Sequence, residues 1–477
     1  MSEVLRIGQE GIWTSTKKKK FFRHSKLQWY YTDVQGTAFG PFSSAPSHST
    51  LSLTKVNTYG TNPLSSPLTL TPDVVPVEPQ TVADWKYPPY AGFYDGTRIW
   101  GRGASDDKSG LISLMSAIEI LLEAGFNPER TLVLAFGCDE EASGHFGAQQ
   151  LAKAMLQIYG KDSFAFIVDE GGDISEHYGT IFATPGVTEK GYLDLRIEVS
   201  SPGGHSSIPP EHTLENNPVP AEISTDSVYY LTLQCYAGYG KDMPSALRKA
   251  IIRSKHSHKA LKRLSEILFK DPANVALTGT THAIDLIYGG VKSNALPEQA
   301  YAVVNHRIPP RSSLSEAIER DEDNLRALAI KFNLNFTSFD RQIITGAQNA
   351  SGSLVFSDAF NSRLEPAPTT PTSGPKASPY ALLSGTIQAT YNAHRGLDLG
   401  SRNVIVTPGM PAGNTDTRFY WDLSDGQILR YNHRNSLAFG DVASGLTVTI
   451  VDIPVDALLE MIRFFATLIL NINESSM

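Results

Sequence analysis

Apolar positions along the chain change their period several times, and each change predicts a different element. Between Lys108 and Glu123, Leu111, Leu114, Met115, Ile118, Leu121 and Leu122 recur at helical spacing, with Gly125 as a stop. Thr131 to Phe136 is a continuous apolar run, the mark of a strand covered on both faces. Gly147 to Tyr159 reads as another helix and Phe164 to Val168 as another buried strand. This β-α-β-α order predicts an α/β fold with a mainly parallel sheet covered by helices.

The pattern then turns to strict alternation. Leu193, Leu195, Ile197 and Val199 alternate with Asp194, Arg196 and Glu198, which predicts a half-exposed strand. Further strands are expected at Thr281 to Ile287 and Ala300 to Ile308. An amphipathic helix is expected from Ser313 to Phe332, carried by Leu314, Ile318, Leu325, Leu328 and Ile330. Together these predict a smaller α+β unit inserted at residues 190–345. The Pro-, Thr- and Ser-rich stretch 365–378 reads as a surface loop, after which the apolar pattern resumes through to a C-terminal helix at Val455 to Asn471. The first unit is therefore expected to be split into residues 46–189 and 346–477, with residues 1–45 as a loosely ordered extension.

Composition narrows the function. Of 477 residues, 41% are hydrophobic and 19% charged, enough to bury a sizeable core. Lys+Arg 41 against Asp+Glu 49 leaves a net charge of -8, which argues against nucleic acid as a general partner, because phosphates need a positive face. The two cysteines, Cys138 and Cys235, exclude a disulfide scaffold and a Cys-rich zinc module. Any metal site must rest on Asp, Glu and His. Asp456, Glu460 and Arg463 interrupt the C-terminal apolar stretch, which is shorter than the roughly 20 residues of a span, so no membrane span is expected. The N-terminus shows no apolar run of signal-peptide type, and Lys17 to Lys20 reads as a solvated tail. Sequons at Asn335, Asn349 and Asn473 would suit a secretory or vacuolar protein.

Carboxylates recur where a parallel sheet places its active site, just past the carboxyl ends of strands. Asp73 follows Leu68-Thr-Leu-Thr-Pro; Asp106 and Asp107 precede the first helix; Asp139, Glu140 and Glu141 follow the strand ending at Phe136; Asp169 and Glu170 follow Val168. Any one of these groups reads most simply as a helix cap or a solvated loop. Four such groups together call for cations, and a pair of divalent metals sharing a carboxylate is the economical expectation.

The motifs Asp73-Val-Val-Pro-Val77, Trp100-Gly-Arg-Gly-Ala-Ser-Asp-Asp-Lys108, Cys138-Asp-Glu-Glu141, Val168-Asp-Glu-Gly-Gly172 and Ser201-Pro-Gly-Gly-His-Ser206 resemble the zinc exopeptidase family of aminoacylases and carboxypeptidase S. Ser293-Asn-Ala-Leu-Pro297, Asn305-His-Arg307 and Gly413-Asn-Thr-Asp-Thr-Arg418 extend the likeness, which covers roughly residues 47–473. The resemblance implies a catalytic domain with two zinc ions and an inserted lid domain able to form a homodimer. It implies hydrolysis of a C-terminal peptide bond or of an N-acyl amino acid, and a vacuolar or secretory setting. Carried over, Asp106 would bridge the metals, Glu141 would bind one, and the pair Asp169/Glu170 the other, with Glu170 preferred. Glu140 would be the general base and His205 would stabilise the oxyanion. Asn294 and Arg307 would hold the substrate carboxylate.

The chain departs from that family at two ligands. The family's His-x-Asp reads Thr71-Pro72-Asp73 here, so Asp73 has no imidazole to orient, and a second His expected near the C-terminus falls at Thr447. Of the 12 His, His145 (four residues after Glu141) and His433 are the replacement candidates. An oxygen-only site suits Mg²⁺, Mn²⁺ or Ca²⁺ better than Zn²⁺. Three readings stay open: a metallocarboxypeptidase whose sequence is altered at two places, a catalytically impaired paralogue, and a peptide-binding or dimerisation protein.

Overall fold

The computed structural model describes residues 27–34, 49–56, 66–70, 72–200, 222–290, 297–346, 350–411, 413–439 and 452–476. Two compact units emerge. The first comprises residues 1–187, 235–243 and 369–477; the second comprises 188–234 and 244–368. The strands that organise them are β1 (Leu27–Val34), β2 (Ser49–Val56), β3 (Ser66–Thr69), β4 (Leu132–Phe136), β5 (Ile167–Asp169), β6 (Gly191–Ser200), β7 (Thr281–Gly289), β8 (Gln299–Ile308), β9 (Leu334–Ser338), β10 (Arg341–Ile344), β11 (Gly352–Asp358) and β12 (Ile428–Arg430). The helices used below are α1 (Lys108–Glu123), α2 (Ala148–Tyr159), α3 (Leu314–Lys331), α4 (Ser378–His394) and α5 (Val455–Glu474).

The main sheet of the first unit runs β1-β2-β4-β3-β5-β12. β4, β3, β5 and β12 are mutually parallel, and β2 and β1 add an antiparallel edge. All five residues of β4 are buried, the burial expected of a central parallel strand. Val133, Leu151, Met155, Ile167, Leu423 and Ile428 share one core beneath α2. The parallel strands deliver their carboxyl ends to one edge, so the segments following β3, β4 and β5 all begin there.

The second unit holds a mostly antiparallel sheet, β7-β8-β6-β11-β9-β10, in which only β9 and β11 run parallel. Leu193, Leu195, Phe336 and Phe356 pack with Ala317, Leu325 and Ala329 of α3. This unit continues to Pro368 instead of ending near residue 345, because β11 is hydrogen-bonded between β6 and β9. The alternating run at Leu193 to Val199 is a ten-residue strand, and α3 begins on a Ser313 cap whose hydroxyl accepts from the Glu316 amide.

Glu460 ties the C-terminal helix into the first unit. It is 1% exposed and accepts both Arg395 guanidinium nitrogens, at 2.5 and 3.0 Å. His433 Nε2 (3.3 Å) and Asn435 Nδ2 (3.2 Å) donate to the same carboxylate. Burial opposes its ionisation, but the hydrogen bonds from His433 and Arg395 outweigh burial and hold the carboxyl down at about 2. A carboxyl held lower in the folded chain contributes stability that is complete above the ordinary value of 4.5 and is lost as pH falls through about 2. Glu460→Ala is expected to cost about 3 kcal/mol, since it strands a paired cation. The wild-type chain is also expected to lose more stability between pH 4.5 and 2 than Glu460→Gln does; urea midpoints across that window check this, and equal losses would refute it.

Candidate functional site

The site is built where the parallel strands of the first unit end. β3 ends at Thr69, whose hydroxyl donates to Asp169 Oδ1 across 2.6 Å. Asp169 is the last residue of β5 and is 1% exposed, and Glu170 beside it is also buried. The chain then turns through Gly171 and Gly172. Gly172 has φ +57°, and a Cβ there would lie 2.9 Å from two backbone oxygens, so only glycine fits.

The loop before α1 separates two adjacent acids. Asp107 is buried and caps the helix, accepting from the Gly110 amide at 3.2 Å and from Asn432 Nδ2 at 2.9 Å. A Cβ on Gly110 would meet the Asp107 carboxylate at 2.5 Å, so glycine is what lets that side chain fold back. Asp107 Oδ2 remains buried with no hydrogen-bond partner among the described residues. Asp106, by contrast, is exposed. The cap role expected of one member of this pair falls to Asp107, which leaves Asp106 available.

The loop after β4 is held by acids too. Asp139 accepts from the amides of Phe146 and Gly147, each at 2.7 Å, which fixes the turn before α2. Glu140 and Glu141 lie in a short 3₁₀ turn, and Asp73 Oδ2 accepts from the Glu141 amide at 3.0 Å. Asp73 Oδ1 is buried without a hydrogen-bond partner among the described residues. Asp73 thus anchors the Glu140–Glu141 turn, a role open to it without any neighbouring imidazole.

Electrostatics binds these groups into one set. Burial, followed by repulsion from Asp416, Glu141, Asp169 and Asp73, raises the Glu140 carboxyl far above its ordinary value. Burial, Asp106 and Asp73 push Glu141 up to about 7. Glu170 is raised by burial and by Asp107, Asp169, Glu140 and Asp106. Asp416 is raised by burial and by Asp169, Asp139 and Asp73. Arg434 near Asp107, Arg102 near Glu141 and Arg418 near Asp139 and Asp416 offset part of the repulsion. The donor chemistry fits divalent cations: these are hard oxygen ligands whose mutual repulsion a cation would relieve. Among the described residues, a set of three potential ligand atoms within 4.8 Å occurs elsewhere, at His282, His306 and Asp321; the carboxylates here are spaced more widely.

The structure therefore brings Asp73, Asp106, Glu140, Glu141, Asp169 and Glu170 into one electrostatic neighbourhood. Thr71, His205, Asn294 and Thr447 lie outside the described residues. Arg307 belongs to the second unit, on β8, with its guanidinium 5.7 Å from the Tyr192 ring. Of the two replacement candidates, His433 is occupied in the core, and His145 lacks the helical face expected to join it to Glu141. His433 is fully buried, with Nδ1 3.1 Å from the Tyr431 hydroxyl and Nε2 on Glu460, so both ring nitrogens are engaged. His145 shares no helix with Glu141, because the 3₁₀ turn ends at Ala142 and α2 starts only at Ala148; its ring packs edge-on against Phe419, 5.6 Å away. Asp416 and Asn432 carry no role in the sequence pattern. The stretch 413–418 was the signal for Asp416, since it was already among the matched motifs.

Residues 72–471 match the family described as Peptidase family M20/M25/M40. Carboxypeptidase S of Saccharomyces cerevisiae is 36% identical over 451 residues, 90% of this chain and 76% of that protein. The N-fatty-acyl-amino acid synthase/hydrolase PM20D1 of Mus musculus is 30% identical over 375 residues, 76% of this chain and 65% of that protein. Among solved structures, the di-peptidase Dug1p of Saccharomyces cerevisiae superposes with a TM-score of 0.57 at 13% identity, covering 100% of this chain and 95% of that one. The M20 family metallo-carboxypeptidase Sso-CP2 of Sulfolobus solfataricus gives 0.55 at 16% identity, covering 88% and 87%. The structural likenesses establish a shared fold, and the sequence matches establish descent: the chain belongs to peptidase family M20/M25/M40.

Proposed function

We propose that this chain is a metal-dependent hydrolase that cleaves a C-terminal peptide bond or the amide of an N-acyl amino acid. The observation that carries the reading is the convergence of the acids around Glu140 at the carboxyl edge of a parallel sheet, where among the described residues Arg102, Arg418, Arg434 and Lys108 offset only part of their charge. Asp106 would bridge two divalent ions, Glu141 would hold one and Glu170 the other, with Asp169 kept in place by Thr69. Bound there, divalent ions would supply the positive charge that polarises the amide carbonyl and makes water acidic. Glu140, with its raised affinity for a proton, would accept one from the attacking water and return it to the leaving nitrogen. Asp73 would position Glu140 through its bond to the Glu141 amide. His205 would stabilise the oxyanion, and Asn294 and Arg307 would grip the substrate carboxylate, for which guanidinium offers a fixed fork of donors.

A specific observation favours a second reading, that of an impaired paralogue: Thr71 and Thr447 stand where imidazoles are expected. Zinc is the ion the resemblance implies, but the described part of the site is all oxygen, so the metal content of the purified chain decides. No described helix is long and apolar enough to cross a membrane, and a vacuolar or secretory setting belongs to the proposal. So does a homodimer through the second unit, where the edge strand β7 exposes Ile284, Ile287 and Tyr288.

The tests are direct. Elemental analysis is expected to show metal that Asp106→Asn loses, together with hydrolysis of N-blocked dipeptides; an inert chain whose metal content Asp106→Asn leaves unchanged would establish the second reading. Glu140→Gln is expected to lower kcat by about 10²–10⁴ with metal content preserved; unchanged kcat would remove Glu140 as the base. Arg307→Ala is expected to raise KM at least about tenfold with a smaller effect on kcat, the signature of lost substrate binding; an unchanged KM would reject that role. Paired Thr71→His and Thr447→His is expected to raise zinc affinity, measured by competition with a chelator, and no gain would mean that the site is not shaped for imidazole.

A further inference from the structure

A second cluster of metal-ligating side chains lies in the second unit and takes no part in the chemistry above. His282 of β7 and His306 of β8 are directly opposed partners in the antiparallel ladder, with ring centroids 4.5 Å apart. Asp321 on α3 reaches the same point, its Oδ2 2.8 Å from His306 Nε2. One ligand atom from each of the three residues falls within 4.8 Å of the others.

The hydrogen-bonding state of His306 is what makes this more than a coincidence of neighbours. Its Nδ1 is 3.0 Å from the Val304 carbonyl oxygen, which can only accept, so Nδ1 carries the proton. That leaves Nε2 with its lone pair in the neutral ring. This atom is buried on a side chain 1% exposed, and it has no hydrogen-bond partner among the described residues although Asp321 Oδ2 is so near. Two acceptors this close need a positive charge that both can reach. A proton would serve, but the pair lacks the alignment of a hydrogen bond. A cation meets the same need and also accounts for His282. A metal-bound histidine commonly donates its other ring N–H to a backbone carbonyl, as His306 does.

The surroundings keep the second ring ready. Partial desolvation of the ring and the nearby Arg320 lower the affinity of His282 for a proton, with Asp321 acting against them, and a neutral imidazole is the form a metal takes. His282 is exposed and Asp321 is 18% exposed, so an ion could enter from solvent without the fold opening.

We propose that His282, His306 and Asp321 form a binding site for one divalent transition-metal ion of the zinc class, separate in its ligands from the acidic cluster of the first unit. Two imidazoles and one carboxylate are a ligand set that zinc accepts, with a fourth position left for water or an added ligand. The ion would fasten the edge strand β7 to its neighbour β8 and to α3.

The experiment uses the full chain carrying Asp106→Asn, so that the acidic cluster is disabled as a two-metal site and the readout does not depend on hydrolysis. Zn²⁺ is titrated calorimetrically, and Cu²⁺ is added in parallel for electron paramagnetic resonance. One equivalent of Zn²⁺ is expected, with affinity falling at least about tenfold in both His282→Ala and Asp321→Asn. The Cu²⁺ spectrum is expected to show coupling to two imidazole nitrogens, reduced to one by His282→Ala. His282 lies exposed on an edge strand and Asp321→Asn keeps the side-chain volume, so both variants are expected to fold, which circular dichroism checks. Zinc affinity and nitrogen coupling that are identical in the parent and in a folded His282→Ala chain would overturn the proposal. Loss of zinc in the His282→Ala chain alone, with Asp321→Asn unchanged, would overturn the three-ligand set. Failure of the hydrolytic reading would leave these results untouched, because no step here uses catalysis.

Discussion

Repulsion between carboxylates is the constraint on which the first unit depends. A parallel sheet sends its strand ends to one edge, and here β3, β4 and β5 each lead into acidic residues there. The chain restrains these groups with neutral donors wherever it can: the Thr69 hydroxyl on Asp169, the Asn432 amide on Asp107, and backbone amides on Asp73 and Asp139. Such donors fix orientation but cancel little charge. Burial and this uncancelled repulsion make Glu140, Glu170 and Asp416 hold their protons well above the ordinary range, and the nearby Arg102, Arg418, Arg434 and Lys108 offset only part of the charge.

The segment following β12 shows how this edge is coupled to the core. Asn432 and Arg434 reach Asp107 and Ser105, while the alternate residues His433 and Asn435 reach Glu460 on α5. His433 adopts φ +62°, a conformation uncommon for a residue with a side chain, and both its ring nitrogens are tied down. One short stretch thus faces two ways at once: it restrains the helix-capping acid beside the site and links it to the buried ion pair of Glu460 and Arg395.

Elements with strong periodicity were legible in the sequence because burial alone dictates them. The helix at Lys108–Glu123 and the strand Leu132–Phe136 lie where the apolar pattern put them. Legibility faded where tertiary pairing decides. β11 follows the helix and hairpin of the second unit, yet it lies between β6 and β9, and no local pattern announces that the chain has not yet returned to the first sheet. At the site, sequence gathered the acids but could not sort them. Asp106 and Asp107 are adjacent and chemically identical; only a backbone turning toward Gly110 makes one a buried cap and leaves the other in solvent. His433 looked available because a lone histidine in a polar stretch gives no sign of Tyr431 and Glu460 waiting on either side of its ring.

The two proposed metal sites would divide the chain's ligands by chemistry. In the first unit the donors are carboxylate oxygens, and one of the two histidines that sequence offered there, His433, is locked into the core. In the second unit two imidazoles face one carboxylate. Oxygen-rich sets favour hard ions such as Mg²⁺ or Mn²⁺, and imidazole favours zinc and copper. A chain that lost its imidazoles at Thr71 and Thr447 would therefore shift the hydrolytic centre toward harder ions while its borderline-soft site stayed intact. Bulk zinc content would then report on the second unit and mislead about the first. Metal identity at the acidic cluster has to be judged against the Asp106 variant, because zinc held at His282 and His306 would survive it.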